Sequence, residues 1–290
     1  MVYFNFFATA QSRDSTIKSI EGIWIQEDFK KSFDITRSIT KSKNVFAPEL
    51  PVGLRINTNE VTDSILNIGY SVLHDHSRHP EVSRFFIQEK DTVYEQGSLL
   101  LDLRTNKGQM SFNIGYIPYF NAENTSSYFS IKRTKSKTIL CLVNESFDTL
   151  KFVRFKRGIA KENPFPNPLY NYTLSRTLTG NYKLFNPDQK LISQNIIIKD
   201  NGDIIGFKDF EKKKIYYSTD IYCGMPISHD VAVICEYPTT DYMYNVLVCQ
   251  AYIIKRSNNG DVVLYNYNWN DDIAFHFEKQ KKVKYILRKK

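Results

Sequence analysis

Glycine and proline are scarce in this chain, at 12 and 10 of 290 residues. That scarcity excludes collagen-like and low-complexity architectures. No apolar run approaches eighteen residues, so no segment reads as a membrane-spanning helix. The four cysteines, Cys141, Cys223, Cys235 and Cys249, form no C-x-x-C pair. A zinc ribbon and a thioredoxin-type motif are thereby excluded. The three in the second half either pair in an oxidising compartment or stay as buried thiols. There is no Gly-rich phosphate loop, no Gly-x-Ser-x-Gly elbow and no dinucleotide fingerprint, and with them go the signatures of common cofactors and of several enzyme classes.

Aromatic residues are plentiful: 19 Tyr and 20 Phe bring the aromatic share to 14%. With many Ile, Val and Thr, this composition favours strands over helices. The chain is 42% hydrophobic and 24% charged, with a mean hydropathy of −0.40, as befits a soluble globular protein. The formal net charge is +8. Basic residues are spread thinly except near the end, where Lys279, Lys281, Lys282, Lys284, Arg288, Lys289 and Lys290 crowd together. Such a tail suits phosphates or an anionic membrane, and equally a solvated last strand. No basic helix face or RNA-binding aromatic signature accompanies it, which weighs against nucleic acid as a partner. Near the start, Ala8-Thr9-Ala10 has the small-x-small form of a signal-peptidase site, without a basic stretch before it. It points to a secreted or periplasmic protein; without it the expectation is cytoplasmic.

Two stretches read alike. Ile20-Glu21-Gly22-Ile23-Trp24 and Leu178-Thr179-Gly180-Asn181-Tyr182 each place an apolar residue, Gly and a large aromatic at the same spacing. Between them, Pro164, Pro166 and Pro168 fall on alternate positions, which favours an extended connector. The organisation expected is a first β-domain over 18–158, a Pro-rich linker over 159–176 and a second β-domain over 177–290. Strand grammar runs through both. Alternating apolar residues and the turn Asn106-Lys107-Gly108 predict a hairpin over 98–116. Asp200-Asn201-Gly202-Asp203 and Asn258-Asn259-Gly260-Asp261 predict two more. Only 80–88 reads as a helix, opened by Pro80 with Val82, Phe85 and Phe86 at helical spacing. The fold class predicted is all-β, as two tandem antiparallel barrels or sandwiches.

The Gly-x-aromatic entries resemble the opening of a lipocalin-like (calycin) barrel. In that family a Gly-x-Trp starts the first strand, and the Trp closes one barrel end beneath a basic side chain from near the last strand. Here Gly22 and Trp24 match, with Arg154 or Arg157 as the basic partner. In the second half Gly180 matches, Tyr182 replaces Trp, and Arg288 is the candidate. The resemblance implies binding of a small apolar ligand in the open end of a barrel.

One cluster carries chemistry of its own. His74, His76 and His79 are three of the five histidines. A strand continuing from 68–73 sets His74 and His76 on one face, and His79 follows at a turn. Neutral imidazoles suit zinc or another late divalent transition metal, with Asp75 or Glu81 behind them. The His-x-His-x-x-His spacing resembles the metallo-β-lactamase hydrolases. Arg78, however, stands where that family places Asp, and the α/β alternation is missing. Three readings follow. The first is a non-enzymatic binding protein of lipocalin-like type. The second is a metal-binding protein or metal-dependent enzyme using His74, His76 and His79. The third is a surface or assembly protein acting through its β faces.

Overall fold

The computed structural model describes residues 18–42, 50–62, 65–73, 81–88, 100–102, 110–114, 127–133, 137–144, 147–157, 167–217, 229–236, 249–267 and 279–290. They group into two compact units. The first draws on the chain up to Lys31 and on 49–72 and 77–169. The second draws on 32–48, 73–76 and 170–290. The described secondary structure is overwhelmingly β.

The first unit holds a nine-stranded sheet. Its strands are β1 (Gly22–Gln26), β2 (Gly53–Thr62), β3 (Ile65–Ser71), β4 (Glu81–Gln88), β5 (Leu100–Asp102), β6 (Met110–Ile114), β7 (Ser127–Arg133), β8 (Thr138–Asn144) and β9 (Phe147–Lys156). The order β5-β4-β3-β2-β1-β9-β8-β7-β6 is a meander in which the last strand pairs with the first. β5 and β6, at the two ends of that order, lie alongside each other. Every residue of β1 is buried, so it is covered on both faces. Helix α1 (Glu27–Thr36) follows at once. The buried Gln26 starts it by accepting the Phe29 N–H on Oε1 at 2.6 Å, a side-chain cap for an orphan donor.

One expectation fails in this unit. Residues 81–88 are β4, paired antiparallel with β3 through Ile65↔Phe86 and Ile68↔Ser83. The helical spacing in 80–88 was incidental, and pairing with a neighbouring strand overrides it. The hairpin expected over 98–116 has its two strands, β5 and β6, alongside each other, and its turn lies outside the described residues. β5 pairs with β4 in parallel, and β6 pairs with β7.

The second unit holds an eight-stranded antiparallel sheet: β10 (Gly180–Phe185), β11 (Leu191–Ile198), β12 (Ile204–Ile205), β13 (Lys213–Tyr217), β14 (Val231–Glu236), β15 (Cys249–Arg256), β16 (Val262–Tyr267) and β17 (Lys279–Lys289). Its order, β12-β11-β10-β17-β16-β15-β14-β13, again joins first strand to last. The free edges nearly close: Asp203 bridges to Lys214, and the Ile215 N–H donates to the Gly202 carbonyl at 2.9 Å. The Lys214 ammonium also donates to the Asp203 carboxylate. The result is a barrel-like sheet, which removes exposed edges. The hairpins expected at 200–203 and 258–261 are present. Gly202 and Gly260 supply the positive φ, 85° and 90°, that these tight turns need.

Helices border this barrel. α3 (Pro168–Thr177) replaces the extended conformation expected for that stretch up to Arg176. Asn167 is the reason: its Oδ1 accepts the Leu169 N–H at 2.9 Å, and Pro168 then falls at the first helical position. Pro164 and Pro166 lie outside the described residues. The last turn of α1 and the short α2 (Ile39–Ser42) pack in the same unit. Asp34 accepts from the Tyr172 hydroxyl and from Arg37, both at 2.9 Å, and pairs with Arg176 at 3.3 Å. The Thr40 N–H donates to Asp230 at 3.2 Å.

Cys235 and Cys249 stand opposite each other on β14 and β15 and form a disulfide, with Cα atoms 4.2 Å apart. Cys141 is a buried thiol on β8. Cys223 lies outside the described residues.

Candidate ligand-binding end of the second barrel

The two Gly-x-aromatic entries make matching contacts at the starts of β1 and β10. Trp24 is fully buried, and its Nε1 donates to the Ile20 carbonyl at 2.8 Å. Tyr182 is buried too, and its hydroxyl donates to the Leu178 carbonyl at 2.9 Å. The ring in each case ties the strand start back to the residue four positions earlier. Gly22 and Gly180 both have positive φ, 132° and 153°. A Cβ on Gly22 would lie 2.3 Å from the Lys156 carbonyl oxygen, so only glycine lets the strand start this close to β9.

A guanidinium accompanies each Gly-x-aromatic entry. Arg154, directly opposite Trp24 on β9, lies over the indole at 4.4 Å and donates to the Ser19 carbonyl. Its buried Nε makes no hydrogen bond. Burial lowers the Arg154 pKa, and Arg157 lowers it further. Arg157 itself is exposed. In the second unit Arg256 donates to the Thr177 carbonyl and, at 3.2 Å, to that of Arg176. Ser19 precedes Ile20 as Thr177 precedes Leu178, so the two arginines do one job. Arg256 also supplies donors to the unsatisfied carbonyls at the end of α3. Arg288 lies elsewhere: it stacks over Phe185 at 4.4 Å on the outward face. Arg256 lies on β15, not on the last strand. It shares a face with Tyr252 and Ile254, but Ala251 to Ile254 are all buried, so no alternation in the sequence marks it.

Further along the second barrel lies an aromatic cluster. Lys289 pairs with Tyr182, and Tyr285 stands four residues back along β17, roughly 13 Å from that pair. Tyr285 faces inward opposite Leu264, and Tyr252 faces inward opposite Ala232. The segment joining β12 to β13 includes a 3-10 turn, Lys208–Phe210, and brings two more rings to them. Phe210 lies 5.4 Å from Tyr285 and Phe207 lies 5.6 Å from it, both edge-on. The two phenylalanines meet at 4.7 Å, and Tyr252 is 6.3 Å from Tyr285. Edge-to-face packing of this kind is favourable beyond simple burial.

The segment is pinned at its root. A Cβ at Gly206 would lie 1.8 Å from the Asn195 carbonyl oxygen, and the Ser193 hydroxyl donates to the Gly206 carbonyl at 2.8 Å. Burial pushes the Tyr252 phenol up to about 12, helped by Tyr285 and Asp209, so it is a neutral hydroxyl at any ordinary pH. Burial, and to a lesser extent Asp209, raises Tyr285 as well. Two phenols therefore offer polar handles in an otherwise apolar ring. Neither Phe207 nor Phe210 was singled out from the sequence, where they look like ordinary loop aromatics.

His74, His76 and His79 lie outside the described residues. Among the described residues no group of three His, Cys, Asp or Glu side chains is arranged to hold a metal ion. Among the described residues no helix is long and apolar enough to cross a membrane. No family model, curated protein or solved structure matches the chain.

Proposed function

We propose that this chain is a non-enzymatic binding protein built as two tandem lipocalin-like barrels, the second of which takes a small apolar ligand at its aromatic cluster. The observation that carries the reading is the cluster of Phe207, Phe210, Tyr252 and Tyr285 in the second barrel. A barrel of eight strands has room for one such ligand. The inward rings supply apolar walls, and the two phenols fix orientation by hydrogen bonding. Phe207 and Phe210 sit on a connecting segment rather than on a ladder, so they are the groups that yield when a ligand enters. The Cys235–Cys249 pairing supports residence in an oxidising, extracytoplasmic compartment.

Titration with a fluorescent apolar probe, such as an anilinonaphthalene, tests the reading. Saturable binding is expected, displaced by a long-chain fatty acid. Phe207→Ala with Phe210→Ala is expected to change affinity at least tenfold while leaving the fold intact. Non-saturable probe binding, unaffected by that pair of substitutions, would overturn it.

A further inference from the structure

The outward face of the second barrel has an unusual charge pattern. Strands β10, β11, β12, β15, β16 and β17 contain no Asp or Glu at all. They do contain exposed Lys183, Lys255 and Arg288, and exposed Lys290 follows β17 directly. Lys183 and Arg288 stand directly opposite each other on β10 and β17. Like charges at facing positions cost stability, so the fold tolerates this pair rather than gaining from it. Among the described residues, none of these four side chains is paired with a carboxylate.

The same face carries apolar side chains in register. One row runs Leu191–Phe185–Ile286–Val263 and ends at Lys255, each residue facing the next across a ladder. Leu191 is exposed, and Phe185, Ile286 and Val263 are half-buried. On the other side of the Lys183–Arg288 pair, Ile197 and Ile205 face each other and are 39% and 44% exposed. Lys290 reaches this second patch by donating to the Asn195 side chain. Apolar side chains thus flank a cationic stripe on a sheet surface with no acid in it.

We infer that this face of the second barrel docks on an anionic phospholipid surface. The charge pattern complements acidic headgroups, and Ile197, Ile205 and Leu191 are placed to enter the interface beside them. A single-stranded nucleic acid would use the cations but would gain nothing from exposed isoleucines; it would seek open aromatic faces. Here the Phe185 ring is covered by Arg288, and Lys255 lies over Tyr265 at 5.5 Å.

Vesicle flotation at about 0.15 M salt decides the matter. The intact chain should float with vesicles containing about one third phosphatidylserine and stay behind with phosphatidylcholine alone. Lys183→Glu with Arg288→Glu should lower partitioning by at least about 25-fold, at roughly fivefold per cation removed. The neutral pair Lys183→Gln and Arg288→Gln provides a second route if the reversed pair folds poorly. Lys151→Glu with Lys156→Glu, the same charge change on the first barrel, should leave flotation intact. Ile197→Ser with Ile205→Ser should weaken binding even at low salt. Absence of flotation on anionic vesicles would overturn the inference. So would equal loss in the first-barrel variant, or binding of single-stranded RNA by Lys183 and Arg288 without any vesicle binding.

Discussion

Trp24 and Tyr182 are buried at the starts of β1 and β10, and their environments make different demands. Trp24 has no solvent exposure and spends its one donor on Ile20. Trp24→Ala should cost about 3–5 kcal/mol, read as a shift in the denaturant midpoint, because it empties a packed site and strands Arg154 over a void. Arg256 is the corresponding test in the second barrel. Removing it leaves the Thr177 and Arg176 carbonyls without their donors, so Arg256→Ala should cost about 1–3 kcal/mol. Arg288→Ala, by contrast, should cost under about 1 kcal/mol, because that exposed side chain stacks on an outward ring. Equal losses for Arg256→Ala and Arg288→Ala would contradict the division of roles.

The elements hold two dedicated fasteners in the second barrel. One is the seam where Asp203 meets Lys214. Burial raises the Asp203 pKa, but the Lys214 ammonium and the Asn201 amide outweigh it, so the carboxyl sits below its ordinary value. A carboxyl depressed by folding contributes stability that is present above the unfolded pKa of about 3.9 and is lost as pH falls through the folded value. Asp203→Asn should therefore destabilise by about 1 kcal/mol at neutral pH, and by nothing once both forms are protonated in acid. Melting curves across that range check it. The other fastener is the disulfide, which closes a loop of sequence separation 14. Cys235→Ser with Cys249→Ser should lower stability by about 2–4 kcal/mol, and reductant should lower the midpoint of the unaltered chain by a similar amount. An unchanged midpoint in reductant would show that strand pairing alone holds β14 to β15.

At the scale of the whole molecule, what the sequence revealed depended on whether the signal was local. Turns were legible where Gly202 and Gly260 had to adopt positive φ, because that requirement belongs to one residue. The repeated Gly-x-aromatic spacing was legible for the same reason. β4 was misread because its apolar residues fit a helix as well as a strand, and only its pairing with β3 decides between them. α3 has a local start signal in Asn167 followed by Pro168, but the alternation of Pro164, Pro166 and Pro168 points to an extended run instead. The Cys235–Cys249 pairing and the role of Arg256 depend on which strands become neighbours, which spacing alone does not fix. The aromatic cluster of the second barrel was likewise invisible, since Phe207 and Phe210 meet Tyr285 across a long stretch of chain.

If an apolar ligand enters the second barrel beside Tyr252 and Tyr285, its chain must come against their rings. Isotope-filtered nuclear Overhauser spectra of the labelled chain with an unlabelled long-chain fatty acid read that contact. Cross-peaks are expected from the acyl chain to the rings of Tyr252, Tyr285 and Phe210. Cross-peaks confined to outward residues such as Leu191 and Ile197, with none to those rings, would contradict ligand entry there.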